Sequence, residues 1–327
     1  MDKSLIYNRP RILRSTEAIR NMVAETLIVP SKLIAPLFIV EGEGIEEEIP
    51  SLPNYHRRSI DKMIKEVELL WSLGIKSVLL FIKCKDELKD NLGTEALNDS
   101  GLMQRSIRAI KNAIPQMYVM TDVALDPYSI YGHDGIVENE QIVNDKTVAV
   151  LAKMAVSHAK AGADMIAPSD MMDGRVKTIR EALELHQFHN TGIMSYSAKY
   201  ASCFYGPFRD ALDSTPGFGD KKTYQMDYRN SREALNEIRL DIAEGADIIM
   251  VKPALSYLDI ISKARQNFDC PISAFHVSGE YSMIKAAAQK GWLNEDQAIL
   301  ETTHSIFRAG ADLLATYFAK DIVKLIQ

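Results

Sequence analysis

Residues 245–252 read GADIIMVK: a glycine, an apolar run, and a lysine seven positions after the glycine. The pattern occurs three more times, as GADMIAPS at 162–169, GIMSYSAK at 192–199 and GADLLATY at 310–317. Each run reads as a short buried strand entered through a turn, and three of the four share the Gly-Ala-Asp opening. Because strand side chains alternate faces, the shared count predicts one parity for Ser169, Lys199, Lys252 and Tyr317. If the strands are parallel neighbours, all four residues converge at one end of the sheet. Two lysines in one pocket favour amine chemistry on a carbonyl substrate.

Outward from these runs, strand candidates fall at 33–40, 77–82, 117–123, 165–168, 193–198, 248–251, 271–277 and 313–318. Helix candidates fall at 60–73, 103–114, 145–161, 174–186, 231–243, 257–267, 279–290 and 295–308. Val148, Leu151, Ala152 and Ala155 form one helical face. Asn144 or Asp145 is a candidate cap for that helix, and Asn294 for the one starting at 295. Strands alternating with helices over about 290 residues match an α/β fold, a TIM (β/α)8 barrel. A doubly wound sheet would carry a glycine-rich phosphate turn after its first strand, and none follows Val40. Residues 1–32 read as an irregular, extended N-terminal arm, basic through Arg9, Arg11, Arg14 and Arg20, and residues 33–327 as one catalytic barrel.

With 46% apolar and 25% charged residues, the chain of 327 residues has the composition of a globular protein with a sizeable core. A net charge of −6 argues against nucleic acid as the main partner. No apolar stretch approaches the roughly 18 residues that span a bilayer. The N-terminus shows no apolar signal core and does not support organellar targeting. Cys84, Cys203 and Cys270 lie far apart, which suits a reducing compartment, and the cytoplasm is expected.

Lys252 follows Met250 and Val251 and precedes Pro253, so partial desolvation is expected to lower its pKa. Lys199, expected on the adjacent strand, would depress it further. The plain alternative is that both lysines point past the strand ends into solvent; matched offsets at a barrel rim favour catalysis. Residues 203–225 form a long cationic segment that reads either as a lid or as a solvated loop. Within it Arg209 can grip a carboxylate and Lys221 can add a point charge. Asp122, Asp126, His133 and Asp134 offer hard ligands for Mg²⁺, or are ordinary turn residues. Ser169 and Asp170 read as the N-cap of a helix. Ser278 and Tyr317 are hydroxyl donors at strand ends, and His276 reads equally as a core or a functional histidine.

The runs TDVALDPY, GHDG, PSDMMDGR, SYSAKYAS, FYGPFRDA, GDKKTYQM, MVKPALSYLDI and VSGEYSMIKAA resemble the porphobilinogen synthase (5-aminolevulinate dehydratase) family from about Arg9 to the C-terminus. The resemblance implies condensation of two 5-aminolevulinate molecules to porphobilinogen with loss of two waters, in tetrapyrrole (heme) biosynthesis. It makes Lys252 the Schiff-base lysine for the first substrate and assigns Lys199 to the second. It implies that Ser278 and Tyr317 hold the first carboxylate, and that Arg209, Lys221 and Gln225 hold the second. Phe204 and Tyr205 would wall the pocket, and Asp122 and Ser169 would line it. Zinc-dependent members carry three cysteines where this chain has Ala124, Asp126 and Asp134, so no zinc is expected. The chain resembles the aspartate-bearing, magnesium-responsive branch. That likeness implies an allosteric Mg²⁺ at Glu237 with Arg14 nearby, and leaves open an active-site metal at Asp126 and Asp134. It also implies a homo-octamer in which the arm wraps a neighbour. The alternatives are a class I Schiff-base aldolase on the same barrel and a non-catalytic assembly scaffold.

Overall fold

Runs of apolar residues buried on both faces build the centre of the molecule, the pattern expected of parallel strands covered by helices. In a computed structural model, which describes residues 8–327, eight such strands close into a barrel. They are β1 (Leu33–Ile39), β2 (Ser77–Ile82), β3 (Tyr118–Val123), β4 (Met165–Pro168), β5 (Gly192–Lys199), β6 (Ile248–Lys252), β7 (Ile272–His276) and β8 (Leu313–Thr316). Each pairs in parallel with the next, and β8 returns to β1 through Leu33 opposite Leu314 and Ile34 opposite Ala315. Short strands Glu46–Glu48 and His56–Arg58 extend the sheet beside the end of β1. This is the expected TIM barrel.

The helices are α1 (Glu17–Met22), α2 (Ile60–Ser72), α3 (Leu102–Ala113), α4 (Asn144–Ala161), α5 (Arg175–Leu185), α6 (Gly206–Leu212), α7 (Arg232–Ala243), α8 (Leu258–Asn267), α9 (Ser278–Gln289), α10 (Glu295–Ala309) and α11 (Ala319–Ile326). On α4 the face carrying Val148, Leu151, Ala152 and Ala155 is buried against the barrel, as its spacing predicts. No helix among the described residues is long and apolar enough to cross a membrane.

The Gly-Ala-Asp openings have a structural cause at the end of the barrel opposite the lysines. Gly162, Gly245 and Gly310 end helices α4, α7 and α10 with φ of 107°, 105° and 120°, a left-handed geometry that glycine adopts without a Cβ clash. The aspartate two residues on then staples a neighbouring strand. Asp164 accepts from the Val119 N–H at 2.7 Å, Asp247 from Ile193 at 2.7 Å and Asp312 from Ile272 at 2.8 Å. Hydrogen bonds to a charged acceptor contribute about 1.5–3 kcal/mol each.

Several local expectations are corrected. The arm is not wholly irregular: it holds a 3₁₀ turn at Pro10–Arg14 and helix α1, neither with a buried residue. Residues 1–7 of the expected arm lie outside the described part. Neither Asn144 nor Asp145 caps α4; Asn144 is already helical, Val143 precedes it, and the Asn144 side chain accepts from the Asp173 N–H at 2.8 Å. Asn294 does cap α10, accepting from Gln297 N–H at 2.9 Å. Ser169 and Asp170 cap no helix, because α5 starts only at Arg175; Asp170 instead accepts from the Met172 N–H at 2.7 Å. The 203–225 segment is partly helical, through a 3₁₀ turn at Cys203–Tyr205 and α6.

Candidate active site

Lys199 ends β5, Lys252 ends β6, and the two face each other in register at the C-terminal rim of the barrel. The equal counts of seven do not by themselves produce this. Met194 pairs with Ile248 and Ser195 with Ile249, a register that would carry Ala198, not Lys199, opposite Lys252. A bulge corrects it: Tyr196 and Ser197 together oppose Met250, after which Ala198 meets Val251 and Lys199 meets Lys252.

The two amines have different surroundings. Lys252 stands among the rings of Phe275, Tyr196, Phe208 and Tyr205, with its Nζ at 4.5, 4.9, 4.9 and 5.3 Å from their centroids. No carboxylate among the described residues forms an ion pair with it. Burial, then the charge of Lys199, bring the Lys252 amine down from 10.5 to about 7. Lys199 is held by two acceptors: it donates to Asp134 Oδ2 at 3.0 Å and to the Ser169 carbonyl. Burial pushes Asp134 up, but the Lys199 and Lys221 ammoniums outweigh it and hold the carboxyl at about 2. Asp122, on β3 in the same cavity, is pushed up to about 7 by burial and by the charge of Asp126. One carboxyl oxygen of Asp122 has no partner among the described residues, and neither does the side-chain carbonyl of Gln225.

The 203–225 segment closes this cavity from above. Its Arg209, Lys221 and Gln225 line it together with Asp122, Asp126, Ser169, Lys199, Tyr205, Phe208 and Lys252. Phe208 enters the barrel mouth, with its ring 5.0 Å from Phe81 and 5.8 Å from Phe38. Ser278 ties the lid down, accepting from the Phe208 N–H at 3.0 Å and donating to the Phe204 carbonyl at 3.3 Å. Gly279 permits that contact, since a Cβ there would lie 2.6 Å from the Phe204 backbone. On the other side His133 bonds Tyr224 Oη at 3.0 Å and the Phe218 carbonyl at 3.1 Å. Arg57 donates to the Ala211 carbonyl at 2.7 Å. Gly279, Arg57 and Tyr224 escaped the sequence reading, because what each touches is distant in the chain.

Not every expected residue meets the lysines. Ser278 and Tyr317 are buried but do not line the space between the lysines: Ser278 lies under the lid, and Tyr317 packs 6.0 Å from Phe38 and 6.0 Å from Phe275, its hydroxyl unpartnered among the described residues. Phe204 is half-buried and faces an outer cleft of about 660 Å³ that also contains Arg209, Lys221, Lys222 and Tyr257. His276 belongs to the core: it is buried beside Thr316, and burial alone pushes it down to about 3.

The metal candidates divide. Between Asp126 and Asp134 sits the Lys221 ammonium, 3.4 and 2.5 Å from their oxygens, so as packed this pair does not fit a divalent cation. Glu237, on α7, is half-buried in a separate cleft of about 800 Å³ with Glu233 and Asp173, and burial pushes its carboxyl up. Among the described residues it has no ion-pair partner, and Arg14 does not line the cleft. That arrangement fits an ion that keeps most of its waters, although no three His, Cys, Asp or Glu of the described residues gather as a ready cage.

Residues 7–325 match the model of the family described as Delta-aminolevulinic acid dehydratase. The chain is 53% identical to the enzyme of that name from Synechococcus elongatus, covering 97% of this chain and 98% of the relative. The Bacillus subtilis enzyme is 52% identical over 97% of this chain and 98% of its own length. The crystal structure of delta-aminolevulinic acid dehydratase (porphobilinogen synthase) from Toxoplasma gondii ME49, in complex with the reaction product porphobilinogen, superposes with a TM-score of 0.96. It is 52% identical and covers 98% of this chain and 91% of that one. A match that spans the barrel from its first strand to its last, together with close relatives at about half identity, means that the chain belongs to the delta-aminolevulinic acid dehydratase family.

Proposed function

We propose that this chain condenses two molecules of 5-aminolevulinate to porphobilinogen, releasing two waters. The observation that carries the reading is the Lys252 amine, buried among rings and directly across from Lys199, surroundings that bring its pKa down to about 7. An uncharged Lys252 attacks the ketone of the first substrate, and loss of water leaves an iminium that acidifies the adjacent C–H. Lys199 serves the second substrate in the same way once its proton passes to a neighbouring group. Asp122, held near neutrality, is suited to move protons between the two. Arg209, Lys221 and Gln225 on the lid receive the second carboxylate. Substrate binding then takes Lys221 from Asp126 and Asp134, exchanging internal carboxylates for an external one. Ser278 and Tyr317 receive the first carboxylate when the lid rearranges. A class I aldolase needs one such lysine; the pair and the cationic lid favour joining two acidic molecules.

The enzyme is magnesium-stimulated and zinc-independent in this reading. Ala124, Asp126 and Asp134 provide no thiolate for zinc, and Glu237 holds Mg²⁺ away from the lysines, where the ion supplies charge and ordered water. The exposed apolar side chains of the arm, Ile12, Leu13, Met22 and Leu27, support a role in covering a neighbouring subunit of a homo-octamer, with Arg14 brought toward that neighbour's Glu237. Purified protein given 5-aminolevulinate and Mg²⁺ should yield a pyrrole that colours with an acidic aldehyde reagent, and Lys252→Ala should yield none. Absence of pyrrole from the unsubstituted protein under Mg²⁺ contradicts the reading.

A further inference from the structure

The bulge at Tyr196–Ser197 is what allows Lys199 to share a face with the ring of Tyr196. In a regular strand residues three apart point to opposite faces, yet Tyr196 stands 4.9 Å from Lys252 Nζ and Lys199 lines the same cavity. A bulge inserts an unpaired residue, and the freed backbone groups need partners. Here one of those groups, the Tyr196 carbonyl, is met by a buried ion pair outside the barrel wall. Arg175, first residue of α5, donates to both oxygens of Asp241 on α7 at 2.9 and 3.0 Å. The same guanidinium donates to Ser195 Oγ at 3.1 Å and to the Tyr196 carbonyl at 3.4 Å, while Ser195 Oγ donates to Asp241 at 2.7 Å. All of these groups are buried.

We propose that Arg175 and Asp241 are positioning residues for Lys199, holding the β5 bulge and thereby the lysine–lysine register; this rests on the reading of Lys199 as a reacting amine. A buried ion pair is weak evidence for stability, and fixing a register is its best-attested use. The cluster is not built for maximal pairing: Arg175 Nε and one oxygen of Asp170 have no partner among the described residues. Asp170 nevertheless lies 4.0 Å from Arg175 and directly follows Ser169, whose carbonyl accepts from Lys199. The cluster thus braces Lys199 from its own strand and from the end of β4. If the bulge relaxes by one residue, Lys199 turns to the outer face of the sheet, because a slip of one inverts every side chain beyond it.

The test uses full-length Arg175→Met/Asp241→Leu, which replaces both charges by apolar groups, and Ser195→Ala, which removes only the hydroxyl between them. With 5-aminolevulinate and borohydride at alkaline pH, both variants should still form the Lys252 adduct. Pyrrole formation should fall about 100-fold in the double variant, the scale of an ångström-level misplacement, and by a smaller factor in Ser195→Ala. Loss of turnover with the adduct retained is a split that general loosening does not produce. Unchanged turnover in either folded variant overturns the inference, as does joint loss of adduct and turnover in folded Ser195→Ala. If the double variant does not fold, Ser195→Ala decides by the same criteria. No adduct in the unsubstituted protein overturns the amine reading itself, and the positioning role with it.

Discussion

Replacing Lys199 with methionine removes the ammonium opposite Lys252 and leaves the aromatic walls in place. In the intact protein burial, followed by the Lys199 charge, brings Lys252 from 10.5 to about 7. At pH 7 about half of such an amine is unprotonated, against about one part in 3,000 for an ordinary lysine, a gain of about 1,500-fold in nucleophile. Without Lys199 the repulsion disappears and the burial stays, so the midpoint should rise but remain below 10.5. The assay is the rate of Lys252 adduct formation with 5-aminolevulinate and borohydride, read by mass spectrometry across pH. The intact protein should level off just above pH 7, and Lys199→Met should level off later. Folding stability carries the same signature. The unfolded chain binds this proton more tightly, so between about pH 7 and 10.5 stability rises with pH, by about 5 kcal/mol if the whole fall is realised. A rate that still climbs tenfold per pH unit beyond pH 9 in the intact protein refutes the reasoning.

Three other perturbations have defined outcomes. Activity lost to EDTA should return with Mg²⁺, and Glu237→Gln should lower the ratio of rates with and without the ion toward one. His133→Ala removes two hydrogen bonds to the lid, each contributing about 0.5–1.5 kcal/mol, so limited proteolysis within 203–225 should accelerate about tenfold. Burial lowers the His133 pKa below 6.5, so mild acid should leave the latch closed. Asp247→Ala, at the far end of the barrel, should cost about 1–3 kcal/mol in denaturant unfolding and leave turnover per folded molecule unchanged.

The barrel was legible because strands buried on both faces must be written as short apolar runs, and all eight were found within a residue or two of their observed ends. The Gly-Ala-Asp signal was real, but its cause lies in the helix ends and strand staples, not in the chemistry. The lysine pairing was reached through a count that a bulge then had to correct, and periodicity does not reveal a bulge. Helix α6 was hidden by Gly206 and Pro207, which read as turn residues although proline is at home in a first helical turn. Helix α11 went unseen because it starts only three residues after β8 ends. Arg175 and Asp241 are 66 positions apart, and nothing local in either marks the other as its partner.

The central claim is that two amines, one poised and one held by carboxylate, meet at one mouth of the barrel and take two substrate molecules. A crystal structure of the protein treated with 5-aminolevulinate and borohydride tests it most directly. The account predicts continuous density from Lys252 Nζ into a substrate carbon, with the Lys199 Nζ facing the same cavity and the lid above them. Density joined to a different lysine, or Lys199 turned outside the barrel wall, contradicts it.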